Sequence, residues 1–168
     1  ASHSSPKCWQ TAVFRLLWDI PADLRQNIER LCISGTSASV LMYDKATKQI
    51  SRPPRMYNYN VITGLTCENA KAIGAKAMEK IEKVAPPEHP VRSGSSVLAK
   101  LLAWHFEDPI KDTELLFHQS DFLAYTMRGG FHKRNHDGSV VKPVTDWHNC
   151  LKLGFDVHEL KYPVWLMN

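Results

Sequence analysis

The chain has no long apolar run, no CxxC spacing among its cysteines and no concentrated charge of one sign. The first absence excludes a membrane-spanning helix, which needs about 20 consecutive apolar residues. The four cysteines, Cys8, Cys32, Cys67 and Cys150, are too scattered for a disulfide framework or a CxxC metal site. Cys8 and Cys32 fall on apolar patterns, so buried free thiols in a reducing compartment are expected. The net charge is only +4 and the densest basic group, Lys133-Arg134, has two members. That is not the basic face of a nucleic-acid binder, although a nucleotide or a phosphorylated small substrate is compatible with it. Internal repeats and low-complexity stretches are also missing. No signal-peptide pattern opens the chain, and it begins ASHSSPKCW without Met, as expected of a piece of something longer. What is present, 168 residues with 43% hydrophobic and 23% charged, suits one globular domain with a core.

Ser5-Pro6 reads as an N-cap and first helical residue, and Trp9, Ala12, Val13, Leu16 and Leu17 recur on one helical face. Pro21 ends that helix, with a short helical turn over 22–27. Ile28–Ser34 and Ala38–Tyr43 read as two strands around a turn at Gly35-Thr36-Ser37. The nearly continuous apolar character of Ser39–Tyr43 suits a strand covered on both faces. Asp44–Lys48 is an exposed turn into a short strand that Ser51-Arg52-Pro53-Pro54 breaks. Thr66 caps a second helix with Glu68 in its first turn; its inner face is Ala70, Ile73, Ala77, Ile81 and Val84. A third helix starts near Ser95, with Leu98, Leu101, Leu102, His105 and Phe106 on one side. A fourth covers 121–127, a polar loop runs from Gly129-Gly130 to Val144, and a fifth helix covers 145–153 and stops at Gly154. Helices packed on a mixed sheet fit this order.

Several places carry chemistry. Asp146, His148 and Cys150 alternate, but residues two apart on a helix point roughly 200° from each other and cannot share an ion. His132, His136, Asp137 and His158 offer a looser metal reading, and loop histidines in water are the plainer one. Gly35-Thr36-Ser37 is either a tight turn or a small anion cradle, without the GxxxxGK[ST] spacing. Tyr57-Asn58-Tyr59-Asn60 follows a proline break, where aromatic and amide groups line polar pockets or simply turn the chain. Asp146 at a helix start is either a dipole-favoured acid or a general base aimed into a cleft.

In order along the chain, these segments resemble the FGGY carbohydrate kinases, nearest the ribulokinase and xylulokinase-like branch. Ser34-Gly35-Thr36-Ser37-Ala38 resembles the glycine turn of the family's sugar-site sheet. Pro53-Pro54-Arg55-Met56-Tyr57-Asn58 resembles its MYND segment. Ser95-Ser96, Leu98-Ala99-Lys100-Leu101 and Trp104 resemble the helix bearing K-L-x-W, and His118-Gln119-Ser120-Asp121-Phe122-Leu123 the segment after it. Asp146, His148-Asn149, Leu151-Lys152-Leu153-Gly154-Phe155-Asp156 and Tyr162-Pro163-Val164-Trp165-Leu166 resemble the run D-x-x-N-A-L-K-x-G-Y-D…Y-P-x-W-L. The likeness spans Trp9 to the end and departs at Tyr59, where the family carries Asp.

The resemblance implies an α/β, ribonuclease-H-like (actin-like ATPase) domain with a mixed sheet and packed helices, incomplete at its N-terminal hairpin. Residues 1–168 would be one partial sugar-binding domain, without the D-x-G-T-S phosphate loop before it or the nucleotide-binding half after it. The parent protein would phosphorylate a ketopentose such as ribulose or xylulose with ATP and Mg²⁺, and this piece alone would not. Asp146 would be the catalytic base, with Thr36, Ser37, Tyr57, Asn58 and Asn149 as sugar contacts and no metal ligand. The expected partner is a small sugar, not nucleic acid or membrane, and a homodimer is compatible. A cytoplasmic place is expected, with a plastid as the alternative. The rival expectations are a kinase-like binding or scaffold module without catalysis, a metal enzyme using His132, His136 and Asp137, and a nucleic-acid binder resting on the mild positive charge.

Overall fold

The computed structural model describes residues 5–130, 137–139 and 141–167. Helix α1 (Pro6–Asp19) starts with Pro6 at its first position, as expected, although the Ser5 side chain makes no capping bond. A one-turn helix α2 (Ala22–Arg25) follows. Strands β1 (Val40–Asp44) and β2 (Gln49–Arg55) form a hairpin. Helices α3 (Glu68–Val84) and α4 (Val97–Glu107) come next, separated by a 3₁₀ turn at Pro90–Arg92. Strand β3 (Glu114–His118) then leads directly into α5 (Gln119–Met127). Two short helices, α6 (Trp147–Leu151) and α7 (Val164–Met167), finish the chain.

The protein is thus mixed α/β, but the sheet differs from the expected one. Its three strands lie in the order β2-β1-β3, and both pairings are antiparallel. The β1–β2 turn reverses the chain. Two successive helices, α3 and α4, then return it so that β3 also runs against β1.

Ile28–Ser34 forms no strand. Its alternation offers faces but no partner, because β1 already spends its backbone groups on β2 and β3. Strand β3 went unrecognised in the sequence although Leu115-Leu116-Phe117 is a short apolar run. The proline pair expected to break the short strand after Asp44–Lys48 sits inside β2, which prolines tolerate because β2 is an edge strand. The ladder slips there: Val40 faces Arg55, while Met42 faces Arg52. Two residues in succession without an N–H account for that irregularity.

Strand β1 is buried along its whole length, as its near-continuous apolar character predicts. Leu41 and Tyr43 pack with Trp9, Phe117, Phe122 and Tyr125 beneath α1 and α5. Val40 and Met42 face the other way, onto Val97 and Trp104 of α4. A third cluster joins α3 and α4 through Ala77, Met78, Ile81, Leu98, Ala99 and Ala103. The order of layers is therefore α1 and α5, sheet, α4, α3.

Helix α1 buries only its first half. Trp9 is in the core, but Leu16 and Trp18 are 68% and 76% exposed, so the expected apolar face is half uncovered. Cys67, not Thr66, occupies the N-cap of α3, and its side chain makes no capping bond. On α3, Ala77 and Ile81 are buried as expected, but Val84 is exposed and Gly74 and Met78 are buried instead. His105 of α4 is exposed. Of the cysteines, Cys32 is exposed rather than buried, and all four are free. No described helix is long and apolar enough to cross a membrane.

Candidate functional site

The start of β1 and the ends of β2 and β3 share one end of the sheet, since Val40 faces both Arg55 and His118. Two turns and a helix start gather there. The first turn closes with Ser39 N donating to Thr36 O at 3.1 Å. Its left-handed residue is Ala38, with φ 66°, rather than a glycine. Gly35 serves a different need: a Cβ there would lie 2.9 Å from Ser120 N at the start of α5. Thr36 donates from its N–H and from Oγ1 to Gln119 Oε1 at 3.1 and 3.0 Å. Thr36 Oγ1 also lies 2.6 Å from Ser39 Oγ.

The second turn, Met56–Tyr59, closes with Tyr59 N donating to Met56 O at 2.9 Å. It is tied to the first turn because Tyr57 N donates to Ser39 Oγ at 2.9 Å. The Tyr57 side chain is exposed, as are Asn58 and Thr36. Asn60 accepts from Ile62 N and Thr63 N and so turns the chain. Tyr59, the departure from the family pattern, is half-buried, and its ring stacks under the Arg55 guanidinium at 4.9 Å; Trp104 covers the same guanidinium at 4.7 Å. Both rings make cation–π contacts with Arg55.

Asp146 is the N-cap of α6, which is shorter than expected. Its Oδ1 accepts from Asn149 N and its Oδ2 from Asn149 Nδ2, each at 2.8 Å. The cap satisfies an otherwise orphaned helix N–H, and the amide grips the second oxygen. Asn149 is buried and reaches further: its Nδ2 lies 3.1 Å from Ser120 Oγ and 3.5 Å from Asp121 Oδ1. Asp121 Oδ2 in turn lies 3.0 Å from His118 Nδ1. Thr145 Oγ1 is 3.5 Å from that same nitrogen. A polar chain therefore runs from the exposed carboxylate of Asp146 into the β3–α5 junction. Ser37 Oγ and His118 Nε2 are buried with no hydrogen-bond partner among the described residues. A buried polar atom costs about 1–3 kcal/mol when left unpaired.

The structure thus brings Thr36, Ser37, the Tyr57 backbone, Asn149 and Asp146 around one junction, with Asn58 on the second turn. No protein-family model matches the chain. His132 and His136 lie outside the described residues, and Asp137 is exposed, with its carboxylate accepting from Ser139 N. Among the described residues no three His, Cys, Asp or Glu side chains gather to hold a metal ion. An apolar hollow of about 600 Å³ opens between α3, α4 and α7, lined by Leu98, Leu102, Leu153, Trp165 and Leu166. None of the sequence-predicted site residues lines it. In the sequence alone, His118, Gln119, Ser120 and Asp121 carry no assigned role. The signal was a polar run directly after an apolar one, and it became legible only with β3 in place.

Proposed function

We propose that this chain is the sugar-binding domain of an FGGY-type carbohydrate kinase, of ribonuclease-H-like architecture, that phosphorylates a ketopentose such as ribulose or xylulose. The ordered run of motifs supports the family. The observation that carries the site is the double hold of Asn149 on the Asp146 carboxylate, beside the turn bearing Thr36 and Ser37. A fixed carboxylate of this kind would accept the proton of a sugar hydroxyl as that oxygen attacks the γ-phosphorus of ATP and the bond to the departing ADP breaks. Phosphoryl transfer asks for positioning and charge neutralisation more than covalent help, and Asn149 supplies the positioning. Ser37 Oγ, which has no hydrogen-bond partner among the described residues, suits a hydroxyl-rich ligand. ATP, carrying its Mg²⁺, would be a second substrate brought from residues other than these. The ribonuclease-H-like reading needs a parallel strand from outside β1–β3. A cytoplasmic or plastid place belongs to the same proposal.

The test is Asp146→Asn in the complete enzyme. Turnover is expected to fall about 100-fold or more, while sugar affinity stays within a few-fold. Turnover close to wild type would remove Asp146 from the mechanism. The second reading, a binding module that holds sugar without transfer, is favoured by Tyr59, whose ring is committed to Arg55 where the family has an acid. Sugar affinity with no sugar phosphate formed by the complete native protein would select it.

A further inference from the structure

Lys100 is fully buried in the middle of α4, a place where an ammonium normally costs several kcal/mol unless it is well bonded. Its Nζ donates to Ala38 O at 2.7 Å and to Met56 O at 2.8 Å. These two carbonyls are not arbitrary. Ala38 follows Ser37 in the Thr36–Ser39 turn, and Met56 opens the turn that carries Tyr57 and Asn58. Ala38 also holds a left-handed backbone, φ 66°, which a residue with a Cβ keeps only when its surroundings over-determine it. A bond to its own carbonyl from a side chain on another element supplies that restraint. Met56 O already accepts from Tyr59 N, so the ammonium adds a second anchor at the first residue of its turn.

We propose that Lys100 is a positioning residue that sets the distance between the two turns bearing Thr36, Ser37, Tyr57 and Asn58, and so shapes the sugar site. The inference rests on the sugar-site reading for its purpose, but not for the clamp itself. An apolar side chain would fill the same space without the desolvation cost, but would leave Ala38 O and Met56 O without this donor. The charge is therefore explained by the geometry it imposes on both turns. Burial pushes the Lys100 ammonium down to about 7, with the positive charges of Lys152 and Arg55 adding to it. Arg55 is paired with Glu107 of α4, and His118 sits at the end of the neighbouring strand β3. Lys100 must therefore be observed directly and not inferred from a neutral-pH transition alone.

The experiment uses the whole 168-residue chain, isotope-labelled. The ¹³Cε signal of Lys100 reports its own protonation, and the amides of 36–39 and 56–59 report the turns. Both sets of amides are expected to shift with the Lys100 midpoint, and in Lys100→Met both are expected to lose that transition. If neither set, or only one, follows Lys100 in the wild-type chain, the clamp is overturned, and this reading stands even where the variant fails to fold. Calorimetry with ribulose and xylulose then separates the two proposals. Wild-type binding that weakens about tenfold or more in a folded Lys100→Met, about 1.4 kcal/mol, supports the positioning role. Unchanged affinity overturns that role, and no binding by the wild type removes the sugar reading while the amide result still decides the clamp.

Discussion

Arg52 shows how much of this protein's charge is turned inward. Its Nε and Nη2 meet the two oxygens of Glu114 at 2.9 Å each, and its Nη1 donates to Trp104 O at 2.7 Å. Ser51 Oγ donates to the same carboxylate at 2.6 Å. The Arg52 bond, with Ser51 and the Lys111 N–H, holds the Glu114 carboxyl at about 2, well below its ordinary value. The unfolded chain takes up this proton at higher pH than the folded one does. The contribution of Glu114 is therefore complete above the ordinary glutamate range and is lost as pH falls towards 2. Glu114→Gln is expected to destabilise the fold by about 2–3 kcal/mol, because buried Arg52 loses its two-pronged partner and keeps only the exposed Asp108 carboxylate, 3.5 Å away. Denaturant melts of wild type and variant should converge as the pH drops through that window. The residue scale is also where the sequence was least legible. Lys100 carries no burial signal in the sequence, because helical periodicity marks faces, and α4 is buried nearly all round. Asp146 and Asn149 were legible because their spacing is one helical turn, which is local information.

At the scale of elements, Gly74 fixes the approach of α3. A Cβ there would fall 1.6 Å from Val61 O, a backbone atom that no rotamer change can move. Gly74→Ala must therefore shift the helix or the segment around Val61. A loss of about 2–3 kcal/mol is expected, at the upper end of overpacking costs, despite the better helix propensity of alanine. A variant as stable as wild type in urea melts would show that α3 is not seated this closely. Helices α3, α4 and α5 were readable because each carries a periodic face and a bounded length. Strands depend on partners far away in the chain. Ile28–Ser34 had the pattern and no partner, whereas β3 had the partner and only a brief apolar run.

For the whole molecule, the three apolar clusters are not equal in their neighbours. Helix α4 contributes Val97 and Trp104 to the cluster on the sheet, and Leu98, Ala99 and Ala103 to the cluster under α3. It thus couples two layers, while α1 is anchored mainly at Trp9. Amide exchange is expected to be slowest in α4 and β1 and fastest in α2 and the last turn of α1. Equal protection of α1 and α4 would contradict this ranking. The mixed α/β class was readable from the succession of patterns, but strand direction was not. Direction depends on how many elements the chain inserts before it returns, and β3 was not counted. The paired prolines of β2 have a final consequence. Successive N–H groups along a strand alternate sides, so the proline pair thins the donors of the outer border and makes it a poorer template for fibre growth. A strand that enlarges this sheet is therefore expected to add more readily beyond β3 than beyond β2.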